Sequence, residues 1–233
     1  MKNIAVILAG GSGSRVGGDI PKQFLPLADG RTVFETCVQT FEDCPAIDHI
    51  LVVMLSHYIP MAQQLCTDHA WSKVCGFVHG GSERWQSSWN ALTRVKELLT
   101  SWNETDCNVL LHDCARPFVS TDILLRVCQA LRQHAALSVT VPVTDTIYTV
   151  IPGSQGECLR SIPTRSTLRA AQTPQAFRFS IVYDAYGKAL AQQTTLPATD
   201  DCGVVLIYRP DVSIHLVQGA PDNRKLTYAA DMK

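Results

Sequence analysis

Residues 8–23 read Leu-Ala-Gly-Gly-Ser-Gly-Ser-Arg-Val-Gly-Gly-Asp-Ile-Pro-Lys-Gln, and they carry the strongest chemical signal in the chain. Glycines at 10, 11, 13, 17 and 18 permit φ > 0 and let several backbone N–H groups face one anion. Arg15 offers a planar fork for phosphate oxygens, and Lys22 a compact point charge. The segment reads as a polyphosphate cradle. Two commoner phosphate loops are excluded by spacing. No Gly-Lys is followed by Ser or Thr, and Val16 stands where a dinucleotide fingerprint needs a third small residue.

Four further groups could do chemistry. His112-Asp113-Cys114-Ala115-Arg116-Pro117 puts an acid and a cation just after an apolar run, which suits ligand or metal binding and equally a structural Asp–Arg ion pair. Gly80-Gly81-Ser82-Glu83-Arg84, with Ser87, opens a helix whose exposed N–H groups, hydroxyls and Arg could meet a base edge or an anion; Ser82 could also simply cap that helix. Thr199-Asp200-Asp201 reads equally as a metal-binding pair or a capping turn. Asn223-Arg224-Lys225-Leu226-Thr227 adds a late cation, a type that is usually solvated. His112, beside a buried strand, reads as structural rather than as a base. No cysteine spacing marks a nucleophile.

These groups need a scaffold that brings them together. Apolar runs at Ile4–Leu8, His49–Met54, Lys73–His79, Asn108–His112 and Leu137–Val143 predict strands. Helical periods at Val33–Glu42, Tyr58–Trp71, Glu83–Leu99 and Thr121–Gln133 fall between them, with Thr121 the expected cap of the last. Such alternation predicts an α/β fold with a mainly parallel sheet covered by helices on both faces. Its sites lie at the carboxyl ends of the strands, where the glycine loop falls. Thr144–Val150 and Cys158–Ile162, around a Pro-Gly-Ser tip, predict a hairpin leaving the sheet with an apolar face that needs cover. Phe179–Ala191 reads as helix, Asp211–Val217 as strand, and the tail as helical. One domain is expected, with 143–165 as its arm.

Composition narrows the function classes. A net charge of −1 gives no broad basic field, which argues against nucleic acid as the partner. No apolar run approaches the ~18 residues of a spanning helix, and Met1-Lys2-Asn3-Ile4 enters a strand without a long apolar leader, so a soluble, cytoplasmic protein is expected. Nine cysteines, none two residues from the next, exclude a zinc knuckle or CxxC pair and read as reduced, mostly buried thiols.

Taken together, Leu8–Arg15, Pro21–Leu25, Gly80–Arg84, His112–Pro117, Val141–Thr146, Gln172–Phe177, Thr199–Asp201 and Asn223–Thr227 resemble the 2-C-methyl-D-erythritol 4-phosphate cytidylyltransferase family, in the family's order through nearly the whole chain. The resemblance implies a Rossmann-like nucleotidyltransferase fold and a homodimer joined by the hairpin arm. It implies CTP and an alditol phosphate as substrates, Mg²⁺ held mainly through the CTP phosphates with no protein ligand, and a product used in isoprenoid precursor synthesis. On matching positions, Arg15 and Lys22 would be catalytic, and Ala9, Gly10, Gly11, Gly81, Ser82 and Ser87 would hold the nucleotide. Asp113, Arg116, Thr146, Arg165, Thr199 and Lys225 would hold the acceptor, with Arg165 and Thr199 on its phosphate and Arg165 crossing the dimer. Some positions depart from the pattern. Ala9-Gly10-Gly11 replaces Ala-Ala-Gly and looks like the ribitol 5-phosphate cytidylyltransferases; Tyr148 stands in place of Lys, and Cys114 in place of Ala. Thr199-Asp200-Asp201 and Cys114–Pro117 look closer to the methylerythritol branch, which is the favoured reading. A sugar-1-phosphate nucleotidyltransferase and a nucleotide-binding protein without catalysis are the other classes; the presence of both Arg15 and Lys22 argues against the second.

Overall fold

The computed structural model describes residues 1–10, 21–192, 199–227 and 231. Four apolar runs form parallel neighbours: β1 (Asn3–Leu8), β2 (His49–Met54), β3 (Val74–His79) and β4 (Asn108–Asp113). The sheet continues through β5 (Ala136–Pro142), β8 (Arg169–Arg178) and β9 (His215–Gln218), in the order β3-β2-β1-β4-β8-β5-β9. Among these strands only β8 opposes its neighbours, antiparallel to both β4 and β5. The fold is α/β with a mainly parallel sheet flanked by helices, as expected.

The strands lack polar alternation because both faces are buried. Ala5, Ile7, Ile50, Val52 and Leu110 enter one core, where α1 (Val33–Asp43) and α4 (Thr121–Ala130) pack through Phe34, Phe41, Ile123 and Val127. Ile4, Val6, Leu51, Val53 and Leu111 enter the other, against α3 (Arg84–Ser101), α5 (Phe179–Gln192) and α6 (Asp201–Tyr208). At about 1.5–3 kcal/mol for each large apolar side chain, this double burial is what holds the strand ends in register. α1 starts at a capping box in which Glu35 N–H donates to Thr32 Oγ1 (3.1 Å) and Thr32 N–H to Glu35 Oε2 (2.7 Å).

Several expectations are corrected. Ser120, not Thr121, caps α4. Glu83, not Ser82, caps α3, in a reciprocal box with Gln86. The helix expected over Tyr58–Trp71 is the shorter α2 (Ile59–Asp68): Pro60 sits at its start, and Ala70 turns into the left-handed region (φ 51°) beyond its end. The hairpin strands are β6 (Thr149–Gly153) and β7 (Gly156–Ser161), so residues 144–148 are not strand and the turn is tighter than expected, with Gly156 at φ 127°. The strand expected over Asp211–Val217 begins only at His215, because Pro210-Asp211 forms a turn. Residues 221–227 are turn and irregular rather than helical; 228–230 and 232–233 lie outside the described residues.

β8 and α6 were not expected. Pro174 and the polar Gln172, Thr173 and Gln175 disguise β8, yet the proline sits where the β5–β8 pairing skips register and needs no ladder donor. All nine cysteines are free, six of them buried, as the sequence implied.

Candidate active site

The chain leaves β1 through Ala9 and Gly10. Ala9 N–H donates to Val53 O (2.8 Å), continuing the ladder, while Gln23 Nε2 donates to Ala9 O (3.0 Å). Gly10 and Gly80 approach so closely that a Cβ built on Gly80 would lie 3.3 Å from Gly10 Cα and 3.4 Å from Ser87 Oγ. Gly81 N–H donates to that same Ser87 Oγ at 3.0 Å. A Cβ on Gly81 would overlap the Gln86 side chain, so this turn requires glycine. Ser82 Oγ–H donates to Gln86 Oε1 (2.7 Å) beside it. The ends of β1 and β3 and the first turn of α3 thus bring Ala9, Gly10, Gly81, Ser82 and Ser87 into one neighbourhood. Gly11 and Arg15 lie outside the described residues. Lys22 Nζ donates to Leu226 O (3.1 Å), tying the end of the glycine loop to the C-terminal segment.

At the end of β4, Asp113 gathers cations from distant parts of the chain. Its Oδ1 accepts from Arg84 Nε (3.2 Å) and its Oδ2 from Lys225 Nζ (2.7 Å). Burial alone would raise its pKa, but Arg84 and Lys225 overcome that and hold the carboxyl well below the usual carboxylate range. Arg84 reaches further: its Nη2 lies 2.7 Å from Oδ2 of Asp201, which is fully buried and whose Oδ1 accepts from Tyr186 Oη–H (2.7 Å). The Asp113–Arg116 ion pair weighed from the sequence is not formed. Arg116 instead donates from Nη1 to Asn223 O (2.8 Å) and from Nη2 to Ala171 O (3.2 Å). The turn after β4 aims it at the C-terminal segment, and its buried Nε has no partner among the described residues. Asn223 completes this stitching, donating to Thr173 O (2.9 Å) and Gln172 Oε1 (3.2 Å).

His112 is fully buried beneath Asp113. Its Nε2 lies 3.1 Å from Arg116 O and its Nδ1 3.0 Å from Thr173 Oγ1. A carbonyl only accepts, so Nε2 carries the proton and Nδ1 accepts from the threonine hydroxyl. Burial pushes its pKa down to about 4, leaving a neutral ring with both nitrogens engaged. His112 is structural, as the sequence suggested.

The remaining predicted residues divide. Thr146 and Arg165 meet on the exposed arm, where Arg165 Nη2 donates to Thr146 Oγ1 (3.2 Å); that bond joins them to each other and not to the Asp113 group. Thr199 is exposed and precedes Asp200, which caps α6 by accepting from Gly203 N–H (2.8 Å). Of the two readings of Thr199-Asp200-Asp201, the capping turn is the one formed. Among the described residues no group of three His, Cys, Asp or Glu side chains could hold a metal ion. Arg84 appeared in the sequence only as an anion-binding option, and Asp201 and Tyr186 were missed as members of the site. The second acid of Asp200-Asp201 was the one available signal.

Comparisons with known proteins fit this geometry. The family described as IspD, 2-C-methyl-D-erythritol 4-phosphate cytidylyltransferase, matches residues 3–233. A protein of that name from Thermobifida fusca (strain YX) is 38% identical over 229 residues, spanning 98% of this chain and 89% of the relative. The bifunctional ribulose 5-phosphate reductase/CDP-ribitol pyrophosphorylase Bcs1 of Haemophilus influenzae is 33% identical over 231 residues, 99% of this chain and 47% of that longer protein. The crystal structure of 4-diphosphocytidyl-2C-methyl-D-erythritol synthase from Anaerococcus prevotii DSM 20548 has a TM-score of 0.81 at 26% identity, covering 99% of this chain and 92% of that one. A match of this extent, on a sheet edge that carries Gly10, Gly80 and Gly81 and the Asp113 cluster, means that the chain belongs to the 2-C-methyl-D-erythritol 4-phosphate cytidylyltransferase family.

Proposed function

We propose that the protein transfers CMP from CTP to 2-C-methyl-D-erythritol 4-phosphate, giving 4-diphosphocytidyl-2-C-methyl-D-erythritol and pyrophosphate, at the carboxyl edge of β1, β3 and β4. The family match over residues 3–233 carries this reading. In the reaction an acceptor phosphate oxygen forms a bond to the α-phosphorus as the bond to the β-phosphate oxygen breaks. That oxygen is already anionic, so no general base is required. His112, neutral with both nitrogens engaged, is consistent with that. Catalysis then rests on alignment and on neutralising charge in a crowded transition state.

In this reading Ala9, Gly10 and Gly11, with Gly81, Ser82 and Ser87, hold the cytidine end of the nucleotide. Lys22 and Arg15 hold the triphosphate and stabilise the transition state. Asp113, kept ionised, accepts hydrogen bonds from acceptor hydroxyls, with Lys225 beside it. Arg116 acts by bracing the 220–226 segment against β8. Thr199, with Arg165 from the arm, grips the acceptor phosphate, and Thr146 helps shape the acceptor site. Mg²⁺, when bound, neutralises phosphate charge and assists pyrophosphate departure. The donor set fits a cation carried by CTP: the acid at this edge, Asp113, has both oxygens engaged by Arg84 and Lys225.

The arm supports a homodimer reading within a single-domain chain. Tyr148, Leu159 and Ile162 are 59%, 54% and 56% exposed on 143–165, and an isolated two-stranded hairpin is marginal without cover. A second copy would supply that cover and bring Arg165 to the other protomer's site. A cytoplasmic location belongs to this reading as a proposal; separately, no described helix is long and apolar enough to cross a membrane. The match to Bcs1, together with Ala9-Gly10-Gly11, favours ribitol 5-phosphate as the second acceptor to test. Phosphorus NMR of CTP, Mg²⁺ and methylerythritol 4-phosphate with enzyme should show a new diphosphate diester and pyrophosphate in equal amounts. Unchanged CTP would refute the reading.

A further inference from the structure

A linked set of polar and charged side chains begins inside the helical layer. Tyr186, on α5, is fully buried and donates to Asp201 Oδ1 (2.7 Å). Asp201, the first residue of α6, is itself fully buried, and its Oδ2 lies 2.7 Å from Arg84 Nη2. The same guanidinium reaches Asp113 Oδ1 from Nε (3.2 Å), and Asp113 Oδ2 meets Lys225 Nζ (2.7 Å). Two carboxylates are therefore held on one planar fork, one at the base of the site and one at its edge.

A carboxyl as deeply buried as Asp201 is costly unless its oxygens are met; here Oδ1 accepts from Tyr186 Oη–H, while Oδ2 is met by Arg84 Nη2 as an ion pair at 2.7 Å without hydrogen-bond geometry. The arrangement also decides what Arg84 can do. Two of its three nitrogens face carboxylates, which leaves it poorly suited to serve as a free phosphate ligand. Its side chain is still 30% exposed, and without Asp201 only the 3.2 Å contact with Asp113 Oδ1 would keep it from turning toward solvent or toward a phosphate. A lysine could not replace it, because an ammonium lacks the planar fork that spans both acids.

We propose that Asp201, steadied by Tyr186, is a positioning residue that acts through Arg84 to fix the Asp113 carboxylate for binding the acceptor alcohol. This rests on the reading above that Asp113 contacts the acceptor. Asp201 touches no substrate. It anchors the α5–α6 layer to the sheet edge, and its effect is expected chiefly on the acceptor half of the site, since the contacts among Gly10, Gly80, Gly81 and Ser87 do not involve Asp201.

The test is steady-state kinetics of Asp201→Asn, Tyr186→Phe, Arg84→Gln, Asp113→Asn and the Asp201→Asn/Arg84→Gln double variant, with KM measured separately for CTP and for methylerythritol 4-phosphate. Asp201→Asn should raise the acceptor KM by about 10- to 100-fold, the scale of a misplacement near 1 Å, and leave the CTP KM within about twofold. Tyr186→Phe should shift it in the same direction by a few-fold. In the Arg84→Gln background, adding Asp201→Asn should change the acceptor KM by less than about twofold, because the route is already cut. A purely structural ion pair would lower the unfolding temperature and affect both KM values alike. That outcome overturns the proposal, as do independent, additive effects in the double variant. If Asp201→Asn does not fold, Tyr186→Phe carries the test, and a wild-type acceptor KM there overturns it. If Asp113→Asn raises the acceptor KM while folded Asp201→Asn does not, this proposal alone fails. If Asp113→Asn leaves the acceptor KM unchanged, the acceptor-site reading fails and takes the proposal with it.

Discussion

His112 should make the fold acid-sensitive in a window set by its burial. Its Nε2–H donates to Arg116 O and its Nδ1 accepts from Thr173, whose hydroxyl oxygen in turn takes the Asp113 N–H (3.1 Å). Only the neutral ring fits this arrangement, and burial lowers its pKa from 6.5 to about 4. Above pH 6.5 the ring is neutral whether the chain is folded or not, and its contribution is fully present. As the pH falls below 6.5 the unfolded chain takes up a proton that the folded chain refuses, so stability drops until the folded ring also titrates near pH 4. At about 1.4 kcal/mol per pH unit, the loss across that window is about 3 kcal/mol. The assay is urea unfolding followed by fluorescence of the four tryptophans, from pH 7 to pH 4.5. His49, also lowered by burial, adds loss of the same sign, so the comparison that isolates His112 is wild type against His112→Gln. The variant should be less stable at pH 7 but lose distinctly less on acidification. Parallel pH dependence in the two proteins would refute the reasoning.

Three further outcomes follow from the site. Lys22→Ala and Arg15→Ala should each keep the wild-type circular dichroism spectrum yet lose at least ~3 kcal/mol of transition-state stabilisation, roughly a hundredfold or more in kcat; near-normal kcat would remove that residue from its role. Gly81→Ala, whose Cβ overlaps Gln86, should destabilise the protein by about 1–3 kcal/mol and raise the CTP KM, measured by thermal unfolding and initial rates. Wild-type values in both would mean that the turn yields easily and does not shape the nucleotide site. Val150 and Leu159 are cross-strand partners on the arm, and charging both, as Val150→Glu/Leu159→Glu, should convert the proposed homodimer to a monomer in light scattering, with the wild type measured alongside. A variant that stays dimeric at micromolar concentration would move the interface elsewhere.

The parallel half of the sheet was legible because burial on both faces leaves continuous apolar runs, as in Ile4–Leu8 and His49–Met54. β8 was not, because Pro174 and three polar neighbours erase the pattern where the strand skips register. The hairpin was placed, but its strands were shifted toward the tip, since an exposed arm is under no demand from a core. Ser120 and Glu83, rather than their neighbours, act as caps, a one-residue distinction that local composition does not resolve. At the site, nearness in sequence misled. Asp113 and Arg116 are three residues apart, but the turn between them sends Arg116 to the backbone of Asn223 and Ala171. Asp113 finds its cations 29 and 112 residues away, at Arg84 and Lys225. Such pairings are made by topology, and no local pattern announces them. Asp201 hid for the same reason, its neighbour Asp200 having supplied a sufficient local explanation as a cap.

Cytidylyl transfer to methylerythritol 4-phosphate at this sheet edge is tested by the rate of pyrophosphate release from CTP with Mg²⁺. Methylerythritol 4-phosphate and ribitol 5-phosphate are compared at matched concentrations, with a metal-free control. Metal-dependent release with a large kcat/KM advantage for methylerythritol 4-phosphate is the expected result. A preference for ribitol 5-phosphate would contradict the acceptor assignment, and CTP binding without turnover on either acceptor would contradict the catalytic one.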